Sequence, residues 1–285
     1  MPEILKLNAI SEVADKEFPA NYVFSDSVKK PDGIMLRSFN MHEYPLNDEL
    51  LAVARAGAGT NNIPIPACTE KGIAVFNTPG ANANAVKELV ICELFLGGRK
   101  ITDAIDWVKT LKGTEGISKA VEKGKSKFVG HEILGKTLGV VGLGAIGVLV
   151  ANTAANLGMN VLGYDPYLSV EGALHLDTRV KTADLDTIIK SSDFITVHVP
   201  LTPSTEKMFN AEAFDKMKAG AVLINNSRGE LADTAAVVAA LESGKLGRYI
   251  TDFPCEELIG VPNAICVPGG GRCPADLYGN RHSQA

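Results

Sequence analysis

Thr137-Leu-Gly-Val-Val-Gly142-Leu-Gly144-Ala-Ile-Gly147 opens a stretch that runs on to Asp165 and reads as strand, glycine turn, helix, strand and acid. The apolar run from Thr137 to Gly142 predicts a strand. Ala145 to about Leu157 predicts a helix, and Asn160 to Tyr164 a second strand, closed by Asp165-Pro166. Each glycine has its own reason. Gly142 permits a tight turn, Gly144 lets backbone approach a pyrophosphate, and Gly147 lets the helix lie close on the strand. The helix start then offers unpaired N–H groups and a partial positive charge to the phosphates, at Ala145 and Ile146 among others. Asp165 follows Gly147 by eighteen residues, near the spacing of an acid that binds a ribose hydroxyl. An acid there repels a 2′-phosphate, so the expected cofactor is NAD rather than NADP. The glycine spacing alone fits many strand-to-helix turns; the register of the second strand and the acid singles out a dinucleotide.

Outward from this unit, bulk composition sets limits. The chain has 285 residues, 46% hydrophobic and 21% charged, with a net charge of −5. That length holds one large or two ordinary domains of α/β type. The acidic balance argues against nucleic acid and gives no sign of a membrane surface. No run approaches the ~18 apolar residues of a membrane span. Cys68, Cys92, Cys255, Cys266 and Cys273 are dispersed, without a CxxC pair or a histidine at ligand spacing. They predict free thiols in a reducing compartment and no metal site. Met1-Pro-Glu-Ile-Leu-Lys lacks the basic and apolar regions of a secretory leader. The expected location is the cytoplasm.

Before the glycine unit, strands are expected at Ile4–Leu7, Asp32–Ser38, Leu50–Ala54 and Gly72–Phe76, each running into a polar or glycine-rich turn. The pattern predicts a parallel sheet, with ligands beyond the carboxyl ends of its strands. Ala85 to Ile105 predicts one long helix. Val86, Leu89, Val90, Leu94 and Phe95, with Glu93 among them, face more than one side, which suggests a linking helix that also makes a subunit interface. Leu111 to Lys127 reads as an exposed charged segment. After Asp165, helices are expected at Leu185–Lys190, Ala213–Met217 and from Asp233 or Thr234 to Ser243. Strands are expected at Asp193–His198, Ala221–Asn225, Arg248–Asp252 and Asn263–Val267. This βα rhythm amounts to a full doubly wound sheet.

Five passages in order resemble the D-2-hydroxyacid dehydrogenases: Arg55-Ala-Gly-Ala-Gly59, Gly142 to Gly147, His198-Val-Pro200, Ser227-Arg-Gly229, and Asp252 with Glu257. Arg55 to Ile63 and Phe76 to Asn82 look most like the short-form D-3-phosphoglycerate dehydrogenases of that family. The resemblance covers roughly Ile4 to Pro268. It implies a flavodoxin-like substrate domain, split in the family around a Rossmann-type NAD domain. Residues 1–85 would be the substrate domain and 86–268 the NAD domain, with the linking and dimerisation helix at its start. The implied partners are a small 2-hydroxy acid and a second copy of the chain, in a homodimer. The implied reaction oxidises 3-phospho-D-glycerate to 3-phosphohydroxypyruvate, for serine biosynthesis. A non-catalytic NAD-binding homologue, or an enzyme of glycerate, lactate or another small 2-hydroxy acid, are the alternatives.

Carried over by position, the resemblance assigns roles. The amides of Ala56, Gly57, Ala58 and Gly59 would hold the substrate carboxylate. Arg228 would clamp carboxylate and carbonyl oxygens as a two-pronged cation. Arg37, Arg55 and Asn82 are the candidates for the substrate phosphate. Asp252 would sit near the nicotinamide carboxamide, and His198, Val199, Pro200, Thr205, Asn226 and Ser227 would line the cofactor groove. Glu257, twenty-nine residues after Arg228, would raise the pKa of a catalytic histidine. That histidine follows the proline of the strand that here reads Cys266-Val267-Pro268, and in this chain the slot holds Gly269. From Gly269 to Ala285 the sequence departs from the family's closing helix, as a shifted reading frame or an unusual terminus would make it. His282, in this atypical tail, is the one candidate to reach the vacated slot.

Overall fold

A computed structural model describes residues 1–8 and 10–269 of the chain, without the side chain of Glu171. The chain divides into two units, one spanning Met1–Ala83 and the other beginning at Asn84.

The first unit holds five parallel strands: β1 (Glu3–Lys6), β2 (Val23–Ser25), β3 (Gly33–Leu36), β4 (Ala52–Arg55) and β5 (Ala74–Asn77), in the order β2-β1-β3-β4-β5. This is the flavodoxin-like order of a doubly wound sheet. Leu5, Ile34, Leu36, Val53 and Ile73 bury its core together with Met41, Leu50 and Cys68. The four expected strands are present, each shifted by a residue or two. The unexpected parts are β2 and a short helix, Ile65–Glu70, whose prolines sit in its first turn, where a missing N–H costs nothing.

The second unit holds seven parallel strands. They are β6 (Thr137–Val141), β7 (Asn160–Tyr164), β8 (Lys181–Thr182), β9 (Phe194–Val197), β10 (Ala221–Asn225), β11 (Leu246–Thr251) and β12 (Ala264–Cys266). Their order, β12-β11-β10-β9-β6-β7-β8, reverses between β6 and β9, as in the Rossmann arrangement with one added strand. Strands covered on both faces should read as unbroken apolar runs, and β9 and β10 are buried at every position. Alternation divides their side chains. Val222 and Ile224 face the core beneath helices Ala83–Gly98 and Ala145–Asn156. Leu223 faces the core beneath helices Leu185–Ser191, Ala211–Lys216 and Thr234–Glu242. Asp233 caps the last of these through the amides of Ala235 and Ala236.

One expectation changes here. The long helix from Ala85 to Ile105 is two helices, Ala83–Gly98 and Ile101–Thr110. The break follows from chain returning against the helix end: the His131 amide donates to the Gly98 carbonyl at 2.6 Å. A Cβ on Gly130 would lie 2.3 Å from that same oxygen, so the backbones touch. The charged segment Leu111 to Lys127 is largely exposed, as expected, and carries a helix at Ile117–Gly124 and a 3₁₀ turn at Lys125–Phe128. Trp107 draws it in, with its ring against Gly124 and 5.1 Å from that of Phe128. Short elements at Val170–Leu174 and β8 were not foreseen either. No helix among the described residues is long and apolar enough to cross a membrane.

Candidate functional site

The glycine elbow is built as its spacing demands. Gly142 takes φ +97°, open only to glycine at low cost, and its amide donates to Tyr164 O at 2.7 Å. A Cβ on Gly147 would fall 1.8 Å from the Gly142 carbonyl oxygen, so only hydrogen lets the Ala145–Asn156 helix start there. Gly144 is different: a Cβ there meets nothing within 4 Å. That open side faces a helix N-terminus with no side-chain cap. Asp165 follows β7 and ties the elbow directly, accepting from the Leu143 amide through Oδ2 and from the Tyr167 amide through Oδ1, both at 2.8 Å. Each carboxylate oxygen keeps a further lone pair for a ribose hydroxyl.

Across the point where strand order reverses, β9 delivers His198. Its Nε2 shares a hydrogen bond with Thr196 Oγ1 at 3.0 Å, and its Nδ1 is buried without a partner among the described residues. Burial pushes its pKa down to about 4, so the ring is neutral at physiological pH. The elbow packs on the His198 carbonyl and Val199. Thr205 spends its hydroxyl on the loop itself, donating to Pro200 O at 2.7 Å and accepting from the Thr202 amide at 2.8 Å.

After β10 the chain turns through Asn226, Ser227 and Arg228. A residue that the sequence did not single out, Asn225, organises this turn. It is buried, donates to the Arg228 carbonyl at 2.8 Å, and accepts from the Ser227 amide at 3.2 Å. Ser227 Oγ anchors the turn to Val197 O, and Thr251 Oγ1 anchors Asn225 O to β11. Arg228 itself is half-buried, with Nη1 on the Ser227 carbonyl at 2.6 Å. Asp252 is the first residue after β11. Glu257 lies in an exposed turn, where its own amide and the Cys255 thiol donate to it and hold its carboxyl below the usual range. Gly269 is in a turn at φ +61°. His282 and the rest of the atypical tail lie outside the described residues.

The second residue missed in the sequence is Glu93. It is fully buried in the helix Ala83–Gly98 and accepts from Asn226 Nδ2 at 2.6 Å. The available signal was an acid on a stripe otherwise made of Val86, Val90, Leu94 and Gly97.

In the first unit, neighbouring strand ends gather the expected anion-binding groups. Arg37 follows β3, Arg55 ends β4, and the Ala56–Gly59 loop follows it; Asn82 lies in the turns after β5. The four loop amides are not equivalent. That of Ala56 donates to Leu36 O at 2.8 Å and that of Gly57 to Thr78 Oγ1 at 2.8 Å. Those of Ala58 and Gly59 donate to no protein acceptor among the described residues. Arg55 Nη1 leans on Asn61 Oδ1 at 3.3 Å.

Residues 98–268 match the family described as D-isomer specific 2-hydroxyacid dehydrogenase, NAD binding domain. The chain belongs to this family. It is 37% identical over 257 residues to a D-3-phosphoglycerate dehydrogenase of Synechocystis, covering 89% of this chain and 44% of that protein. It is 38% identical over 236 residues to a hydroxypyruvate reductase of Thermotoga maritima, covering 80% of this chain and 72% of that one. The crystal structure of D-lactate dehydrogenase with NAD+ from Lactobacillus jensenii matches at a TM-score of 0.75 and 25% identity, covering 96% of this chain and 92% of that one. The chain spans less than half the length of the first curated relatives that it matches. NAD is the cofactor of this domain, and the elbow fits it: the space beside Gly144 admits a pyrophosphate, and Asp165 presents an acid rather than a phosphate-binding cation.

Proposed function

We propose that this chain exchanges a hydride between NAD and a small phosphorylated 2-hydroxy acid, 3-phospho-D-glycerate being the substrate and 3-phosphohydroxypyruvate the product. The observation that carries the reading is the edge of the first sheet, where Arg37 follows β3 and Arg55 ends the adjacent β4, beside the two unspent amides of Ala58 and Gly59. Two guanidinium groups and free N–H donors at one edge suit an acid bearing more than one anionic group. In the second unit Arg228, fixed by Asn225 and Ser227, offers a planar fork for a carboxylate. NAD, when bound, supplies the hydride acceptor. Gly142, Gly144 and the amides of Ala145, Ile146 and Gly147 would hold its pyrophosphate, and Asp165 its ribose. The groove would be lined by His198, Val199, Pro200, Thr205, Asn226, Ser227 and Asp252. The neutral His198 adds no positive charge there.

The hydroxyl proton needs a base, and Gly269 stands where the family has its histidine. That substitution favours a second reading, a non-catalytic protein that keeps the nucleotide site. The two are separated by following NADH formation from 3-phospho-D-glycerate. Within the first reading, charge reversal Arg37→Glu should raise KM for 3-phospho-D-glycerate at least about tenfold, the loss of one charge-assisted hydrogen bond. KM for lactate should change less than about twofold; equal effects on both would remove the phosphate assignment and leave glycerate or lactate.

This substrate would place the chain in serine biosynthesis. The free thiols Cys68, Cys92, Cys255 and Cys266 support a cytoplasmic location. Ile101, Ile105 and Val108 stand exposed on one face of the helix Ile101–Thr110, as a homodimer contact would use them. Sedimentation at micromolar concentration should give a dimer, and a monomer there would end that part of the reading.

A further inference from the structure

The helix Ala83–Gly98 lays Val86, Val90, Leu94 and Gly97 on the sheet, where Gly97 approaches Val222, Phe194 and Ile250. Glu93 falls on this same apolar stripe. Asn226 Nδ2 donates to its Oε2, while Glu93 Oε1 and Asn226 Oδ1 are buried without partners among the described residues. An ionised carboxylate here would leave two acceptors facing no donor; a carboxylic acid carries the missing donor itself. On the strands packed against the helix, Arg248 lies on the Ile250 face of β11 but is paired with Asp103 at 2.6 Å, and the charge that acts on Glu93 is negative. Asp252 acts from the end of β11, β10 contributes the uncharged Asn226 amide, and β9 presents Phe194. Burial first, then Asp252, push the Glu93 carboxyl up to about 8, against the pull of Asn226, so it holds its proton at neutral pH.

Asn226 and Asp252 are each the first residue beyond a strand on the carboxyl edge of the sheet, where ligands of open α/β sheets bind. A positive charge arriving at this edge favours the ionised acid, and a neutral group does not. We propose that Glu93 is a positioning residue that distinguishes oxidised from reduced dinucleotide by its proton: it releases that proton to solvent when the cationic oxidised ring binds and keeps it when the neutral reduced ring binds. The inference rests on the NAD reading above. Its sign is fixed by linkage. Below about pH 8 the free protein must give up a proton to bind the oxidised form, so affinity for that form climbs with pH and levels off above about 8.

Calorimetric titration of the whole chain with NAD+ and NADH, in two buffers of different ionisation enthalpy, counts the protons released. NAD+ should release about 0.4 to about 0.8 of a proton near pH 7, for a shift of one to two pKa units, and NADH none. If the nearby charge shifts the acid by between one and two pKa units, the Kd for NAD+ should fall about five- to tenfold between about pH 7 and about pH 9. Glu93→Gln should abolish both the release and the pH dependence. Infrared spectra of the wild-type chain give the same reading without a variant: the protonated carboxyl band should fade on adding NAD+ and persist on adding NADH. Binding of both nucleotides with equal proton release, or a pH dependence that survives in Glu93→Gln, overturns the inference alone. Binding of neither overturns the NAD reading and this inference with it.

Discussion

Gly269→His is expected to raise the rate of NADH formation from a 2-hydroxy acid by about 10²–10⁴-fold, the worth of one positioned general base. Oxidation removes a hydride from carbon and a proton from the neighbouring oxygen, and a neutral imidazole with an ordinary pKa of about 6.5 accepts that proton at working pH. Position 269 leaves the carboxyl edge of the sheet just after Val267, whose amide donates to Thr251 O at 2.8 Å. It therefore emerges beside the end of β11, the strand that Asp252 follows. The backbone there is left-handed, at φ +61°. Histidine is among the residues that enter this region more readily, at a stability cost of roughly 1–2 kcal/mol. That cost falls on folding rather than on the barrier, and even a hundredfold gain corresponds to about 2.7 kcal/mol of barrier lowering. Stopped or steady-state absorbance at the NADH band checks it. An unchanged rate in a folded variant that still binds NADH would leave the non-catalytic reading standing.

Gly147→Ala is expected to cost about 3 kcal/mol or more of stability, at or above the upper end of ordinary overpacking. The added methyl would lie 1.8 Å from the Gly142 carbonyl oxygen, a backbone atom that no rotamer change can move aside. Helix and strand must part by more than an ångström, and the elbow that holds the pyrophosphate opens with them. Thermal unfolding should fall by roughly 6–12 °C for a chain of this size, with NADH affinity lost in parallel. Gly144→Ala is the internal control. Its methyl meets no protein atom within 4 Å, so the melting point should hold while NADH binding weakens where the methyl intrudes on the ligand's space. Similar melting points for the two variants would contradict the close helix–strand contact on which the elbow depends.

The sequence by itself determined the second sheet almost strand for strand, because its signals are local. β7 runs from Asn160 to Tyr164 as the apolar run predicts, Asp233 caps its helix, and Gly147 answers to the Gly142 carbonyl five residues before it. It also determined the family, through five motifs whose order does not depend on folding. What it left undecided depends on partners far along the chain. The helix after Ala83 breaks at Arg99 because chain at Gly130 and His131 returns against its end. Two of the four loop amides expected to hold an anion are spent on Leu36 and Thr78, which only the register of β3, β4 and β5 brings near. Glu93 reads as one more polar residue on a helix until tertiary packing places it against Asn226, 133 residues away, and beside Asp252. Protonation state follows solvent access and neighbouring charge, and the fold alone sets both.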